Sequence, residues 1–140
     1  MRKAVFSLLV ENSSGVLSRV SGLFSRRGYN IESLTVGETL DSSYSRMTIV
    51  TTGDEDVLDQ IEKQLAKLID IKEIKELPIS ETVCRELILV KVECDASKRS
   101  EIAALSNIFH AKVLDVSEKS VVIELTGDQT KLNAFVSLLN

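Results

Sequence analysis

The chain has 140 residues, 44% of them hydrophobic and only one of them proline, enough apolar material to bury one domain or two small ones and too much for a disordered polypeptide. Seventeen Lys and Arg stand against 21 Asp and Glu, a net charge of -4 spread evenly over both halves, so neither half offers the basic surface that nucleic acid requires. No stretch reaches the ~18 apolar residues of a membrane span, and Met1-Arg2-Lys3 leads into a strand pattern without a signal-type cleavage site, so a cytoplasmic protein without membrane association is expected.

Ala4 to Val10 is a near-continuous apolar run bounded by charged and turn residues, which reads as a strand buried on both faces. After the turn Glu11-Asn12-Ser13-Ser14-Gly15, the residues Val16, Leu17, Val20, Leu23 and Phe24 recur at helical spacing, with Ser14 as the expected N-cap and Gly28 as the stop. Strands are expected from Ile31 to Thr39 and from Ser45 to Thr52. A helix follows with Val57, Leu58, Ile61, Leu65, Leu68 and Ile69 on one face, then a strand from Ile71 to Leu77. The order is βαββαβ.

Around Pro78 to Thr82 the pattern lapses, and then it restarts. Leu87 to Cys94 reads as a strand, Ile102, Leu105, Ile108 and Phe109 as a helix face, Lys112 to Ser117 and Val121 to Leu125 as strands, and Leu132, Phe135, Val136 and Leu139 as a last helix. At a constant offset of 85, Leu17, Val20, Leu23 and Phe24 align with Ile102, Leu105, Ile108 and Phe109, the mark of an internal repeat. The expected fold class is α+β: two ferredoxin-like βαββαβ sandwiches in tandem, residues 1-78 and 79-140, each an antiparallel sheet with helices on one face. The second lacks its last strand, which would leave the apolar edge of Leu87 to Cys94 to be covered by another chain or by further residues.

The first turn is where chemistry is expected. A helix N-terminus presents unpaired N-H groups and the positive end of the helix dipole, so it favours a carboxylate or a phosphate. Gly15 removes the side chain that would obstruct such a ligand. Asn12 adds an amide that donates and accepts at once, which suits a zwitterion. Other uses of this topology fit less well. RNA-recognition modules need stacking aromatics and basic residues on central strands, whereas Tyr44-Ser45-Arg46-Met47-Thr48-Ile49-Val50 lies in a chain only 4% aromatic. Metal carriers need clustered cysteines, and Cys84 and Cys94 form neither a metal pair nor a disulfide framework; both read as buried reduced thiols. An acyl-phosphate hydrolase would want an arginine beside the turn, and this turn carries Glu11 and no positive side chain. His110, the only histidine, lies near a helix end where a dipole contact is expected rather than metal ligation. No catalytic or metal-ligating residue is assigned, and an amino-acid-binding use remains.

Leu9-Val10-Glu11-Asn12-Ser13-Ser14-Gly15-Val16-Leu17-Ser18-Arg19-Val20, then Gly22 through Val36 with Gly28-Tyr29-Asn30-Ile31-Glu32 at its centre, then Ser45-Arg46-Met47-Thr48-Ile49-Val50, resemble the small regulatory subunit of acetolactate (acetohydroxyacid) synthase. Gln60 to Leu65 and Arg85 to Val92 continue the resemblance, which covers nearly the whole chain and is looser in its second half. It implies an N-terminal ACT domain and a related C-terminal domain without catalytic residues of their own. The family activates a separate catalytic large subunit and makes it sensitive to branched-chain amino acids, usually valine. No cofactor is implied on this chain; thiamine diphosphate and magnesium, with FAD as a further candidate, belong to the catalytic partner. Residue by residue, the resemblance assigns effector binding to Asn12, Ser14, Gly15, Val16 and Leu17. Asn30 and Ile31 would come from a neighbouring ACT domain, so a homodimer is implied, and Leu34 would join the pocket wall. The alternative is a free-standing amino-acid-binding ACT module that regulates another enzyme or a transcription factor.

Overall fold

A computed structural model describes residues 1-140, which divide into two compact units, Met1–Thr82 and Val83–Asn140. The first contains β1 (Arg2–Glu11), α1 (Val16–Arg26), β2 (Ser33–Glu38), β3 (Tyr44–Gly53), α2 (Glu55–Ala66) and β4 (Ile71–Leu77), followed by a single 3-10 turn at Ile79–Glu81. Its four strands form an antiparallel sheet in the order β2-β3-β1-β4, the split βαβ arrangement expected from the element order. Both helices cover one face. Ala4, Phe6, Leu8 and Val10 of β1 alternate inward and pair with β3 so that Phe6 lies opposite Ile49 and Leu8 opposite Met47. Against them pack Val16, Val20, Leu23 and Phe24 of α1 and Leu58, Ile61 and Leu65 of α2, all buried.

The second unit contains β5 (Glu86–Glu93), α3 (Arg99–Ile108), β6 (Lys112–Val116), β7 (Ser120–Gly127) and α4 (Gln129–Leu139), with an antiparallel three-stranded sheet in the order β5-β7-β6. Its core is smaller: Cys94, Val121, Ile123, Leu125, Leu132 and Phe135 are buried, and the Phe135 ring meets Phe109 edge-on at 5.1 Å. β5 is an edge strand of this sheet, with Leu87 and Leu89 exposed on the side away from the helices.

A repeated Thr-Gly-Asp, at residues 52-54 and 126-128, starts the second helix of each unit. Asp54 accepts a hydrogen bond from the Val57 amide, and Asp128 accepts one from the Lys131 amide, so each aspartate satisfies one orphan N-H of a helix start. Such a cap contributes about 1 kcal/mol. The acidic side chains of Glu55 and Asp56 reinforce the first of these ends through the helix dipole.

Several expectations need correction. The repeat is real, but the offset of 85 is out of phase, because an odd shift sends every strand side chain to the opposite face. At that offset the buried Phe6 and Leu8 would match Lys91 and Glu93, which are exposed; an offset one residue longer matches them to Val92 and Cys94, and matches Val16, Val20 and Leu23 to Ile102, Ser106 and Phe109. Ser106 hides in that pattern because it is polar, yet it is buried with its hydroxyl donating to the Ile102 carbonyl one turn earlier. Ile108, expected in the core, is 72% exposed. Ile69 is 93% exposed, since α2 ends at Ala66 and the chain has already turned; Val136 also lies outside the α4 core face. β1 is fully buried on one face only, because Ser7 and Leu9 on the other are half-buried and Arg46 there donates to the Ser7 hydroxyl. The first strand of the expected Ile31 to Thr39 segment begins at Ser33. Cys94 is buried but Cys84 is exposed. His110 follows α3 in the left-handed region, φ 59°, and its N-H donates to the Asn107 carbonyl.

Candidate functional site

The turn between β1 and α1 is organised by Gly15, which stands at the N-cap position with φ 87° and ψ -12°. That backbone conformation strongly favours glycine. Ser14 is therefore not the N-cap: the side-chain cap expected of it is absent, and no side chain caps this end. The Gly15 carbonyl accepts from the Arg19 amide, the first intrahelical bond, so the amides at the start of the helix have no intrahelical partners and remain an anion-favouring end. Val16 is buried in the core. Leu17, expected on the same apolar face, is 46% exposed and flanks the helix start instead.

Asn12 continues from the end of β1. Its backbone N-H donates to the Ser43 carbonyl at 2.8 Å and one N-H of Nδ2 to the Ser42 carbonyl at 2.9 Å, so both hold the β2–β3 connection. The side-chain oxygen is left to accept. One of the two Nδ2 donors is thus used by the scaffold, while the other N-H and Oδ1, which suits an ammonium, make no hydrogen bond within the chain.

A cation that the motif pattern does not single out stands over this turn. Arg19, one helical turn into α1, folds back so that its Nη1 lies 3.0 Å from the position a Cβ on Gly15 would occupy. Its Nε donates to Asp70 Oδ2 at 2.5 Å, and the Asp70 side chain is only 10% exposed. This hydrogen bond, with the charges of Asp70 and Glu11 added, holds the Arg19 pKa above its ordinary value. Asp70 is itself fixed in the turn before β4, because its carbonyl accepts from the Glu11 amide at 3.0 Å. The expectation that the turn lacks a positive side chain is thus overturned. The available signal was the spacing of four residues between Gly15 and Arg19, which places both on one side of a helix start.

Asn30 and Ile31 do not join this cluster within one chain. They precede β2 and lie beside the row Val5–Val50–Ser33, whereas Asn12 and Gly15 lie past the row Val10–Ser45–Glu38 at the other end of the sheet. At ~3.3 Å per residue the two ends are roughly 20 Å apart. The Asn30 carbonyl accepts from the Thr51 hydroxyl at 2.6 Å, and Ile31 is half-buried against the core. Leu34 lies opposite Ile49 in the register and so points to the helix-bearing side, yet it is 38% exposed because β2 is an edge strand. No helix in the chain is long and apolar enough to cross a membrane.

Residues 6-73 match the family described as AHAS small subunit-like ACT domain, and residues 85-140 match the family described as small subunit of acetolactate synthase. A probable acetolactate synthase small subunit from Archaeoglobus fulgidus is 52% identical over 98% of this chain and 86% of its own length. The acetolactate synthase small subunit of Haemophilus influenzae is 49% identical over 98% of this chain and 84% of its own. Among solved structures, the crystal structure of the acetolactate synthase small subunit from Thermotoga maritima superposes with a TM-score of 0.92 at 42% identity, covering 99% of this chain and 87% of that one.

Proposed function

The chain belongs to the family of acetolactate synthase small subunits, regulatory chains without the enzyme's catalytic activity, and from that premise we propose that it is a homodimeric valine sensor that activates a catalytic large subunit and confers feedback inhibition on it. Thiamine diphosphate and magnesium would reside on that partner. The effector would be a branched-chain amino acid, its carboxylate on the amides of Gly15, Val16 and Leu17 and its ammonium on Asn12 Oδ1. Leu17, Ile31 and Leu34 would supply apolar walls.

One geometric observation carries the dimeric part of this reading. β2 is an edge strand with all six residues exposed, including the apolar Leu34 and Val36. An exposed edge of this kind invites pairing with another strand. If two copies pair antiparallel through β2, the start of one strand meets the end of the other. The partner's Asn30 and Ile31 then arrive at the end of the sheet that holds Asn12 and Gly15, and the two motifs that stand roughly 20 Å apart in one chain meet across the dimer.

A mixing experiment tests it. Asn12→Ala and Asn30→Ala homodimers should each bind valine on the order of tenfold more weakly, as expected for one lost hydrogen bond to a charged group. Mixed and allowed to exchange, they should regain parent affinity at a minority of sites, because each heterodimer carries one intact site and one doubly altered one. Calorimetry that finds no recovery in a mixture shown to contain heterodimers would place both residues in the same protomer's site and overturn the arrangement.

A further inference from the structure

Resting on the effector site proposed above, we infer that Arg19 recognises the ligand's carboxylate, and that Asp70 positions it by holding Nε while Nη1 lies against the side-chain-free Gly15. The inference begins with that space. Gly15 lacks a side chain where the nearest atom to a hypothetical Cβ is Arg19 Nη1, at 3.0 Å, followed by Cζ at 3.7 Å and Nη2 at 3.9 Å. Nη1 is therefore the part of the guanidinium nearest the helix start.

The other side of the same group is occupied. Nε donates to Asp70, whose carboxylate is almost wholly buried and whose backbone is tied to Glu11. A guanidinium tied through Nε is restrained more than a lysine ammonium would be, and its terminal nitrogens keep only local freedom near the helix start. The Arg19 side chain is 49% exposed, so part of it is open to solvent. An uncapped helix start and a cation beside its first residue together offer the kinds of donor that a planar carboxylate takes. Without Arg19, the nearby Asp70 and Glu11 would make that point repel an anion. The pair thus turns an acidic corner into an acceptor for one negative charge.

The experiment compares L-valine with L-valinamide, which keeps the ammonium and the side chain but replaces the carboxylate with a neutral amide. Calorimetry on the parent chain should show valine bound on the order of ten- to a hundredfold more tightly. Arg19→Gln should lower that preference at least tenfold, mainly by weakening valine, with valinamide affinity changed little. Arg19→Lys should recover part of the preference, since the charge returns without the restrained geometry. Asp70→Asn should fall between parent and Arg19→Gln. If Arg19→Gln weakens both ligands equally, or neither, the arginine only braces α1 and the inference fails while the effector site stands. If the parent chain binds no valine at all, the effector reading fails and this inference with it.

Discussion

Gly15→Asp is expected to weaken valine binding on the order of a hundredfold, about 2.7 kcal/mol, while the subunit remains folded and still activates its catalytic partner. Two effects add. The new carboxylate would stand where the ligand's carboxylate is proposed to bind, removing a charge-assisted interaction and replacing it with like-charge repulsion. It would also arrive within reach of Arg19 Nη1, which lies 3.0 Å from the Cβ position, and would pair with the cation that the ligand needs. The cost to folding is modest for specific reasons. The φ of 87° is unfavourable for a side chain, but aspartate tolerates the left-handed region better than most residues, and the atom it meets is the end of a flexible side chain. Calorimetry gives the affinity, and the thermal midpoint checks that the variant is folded. Parent-like valine affinity in Gly15→Asp would remove the ligand from this turn.

Phe135→Ala is expected to unfold the second unit and leave the first intact. Phe135 is fully buried at the centre of a core cluster of six residues and packs edge-on against Phe109. Removing a buried phenylalanine typically costs 3 to 5 kcal/mol, as about that much packing and transfer free energy is lost. A unit the size of Val83–Asn140 has a total stability of roughly 3 to 9 kcal/mol, so the substitution consumes much or all of it. The first unit has its own larger cluster of thirteen buried residues around Phe6, Leu8, Phe24 and Ile61. Hydrogen exchange should therefore show β5 and β7 losing protection while β1 and β3 keep theirs, with valine still bound. Equal loss in β1 and β3 would mean that the chain unfolds as one cooperative unit.

Much of the fold was legible because its elements rest on local signals. The apolar alternation of β3, the helical spacing of Leu58, Ile61 and Leu65, and the run Ile71 to Leu77 each carry their own period. The errors share a cause, which is that burial depends on partners the period does not reveal. Leu17 and Ile108 fit a helical stripe and are exposed, whereas Ser106 breaks the stripe and is buried. The repeat was visible as resemblance, but its phase was not, because the apolar residues of α1 and α3 align one residue away from the alignment of their buried faces. Strand parity settles the phase, and it needs the sheet.

The candidate site was legible in its backbone logic and illegible in its electrostatics. Gly15 before an amphipathic helix announced a helix start open to an anion, and the structure places it there with the left-handed φ that such a turn requires. Ser14 was a reasonable cap by type, but the left-handed glycine took the cap position itself. Arg19 was missed because its role depends on Asp70, fifty-one residues away in the chain, and no local pattern links the two. The separation of Asn12 from Asn30 across the sheet likewise follows from register alone, and it is the feature that makes a second copy of the chain part of the proposed site.

Regulation of a separate catalytic chain can be read in a reconstituted pair. The purified chain should form no acetolactate from pyruvate by itself, because it offers no acid-base constellation and no motif for thiamine diphosphate. Added to a purified catalytic large subunit with thiamine diphosphate and magnesium, it should raise turnover, and valine should then lower it in a concentration-dependent way. The Gly15→Asp chain should raise turnover equally and leave it insensitive to valine. A catalytic subunit whose turnover is the same with and without this chain, and whose response to valine is unchanged by its addition, would rule out a regulatory role for it.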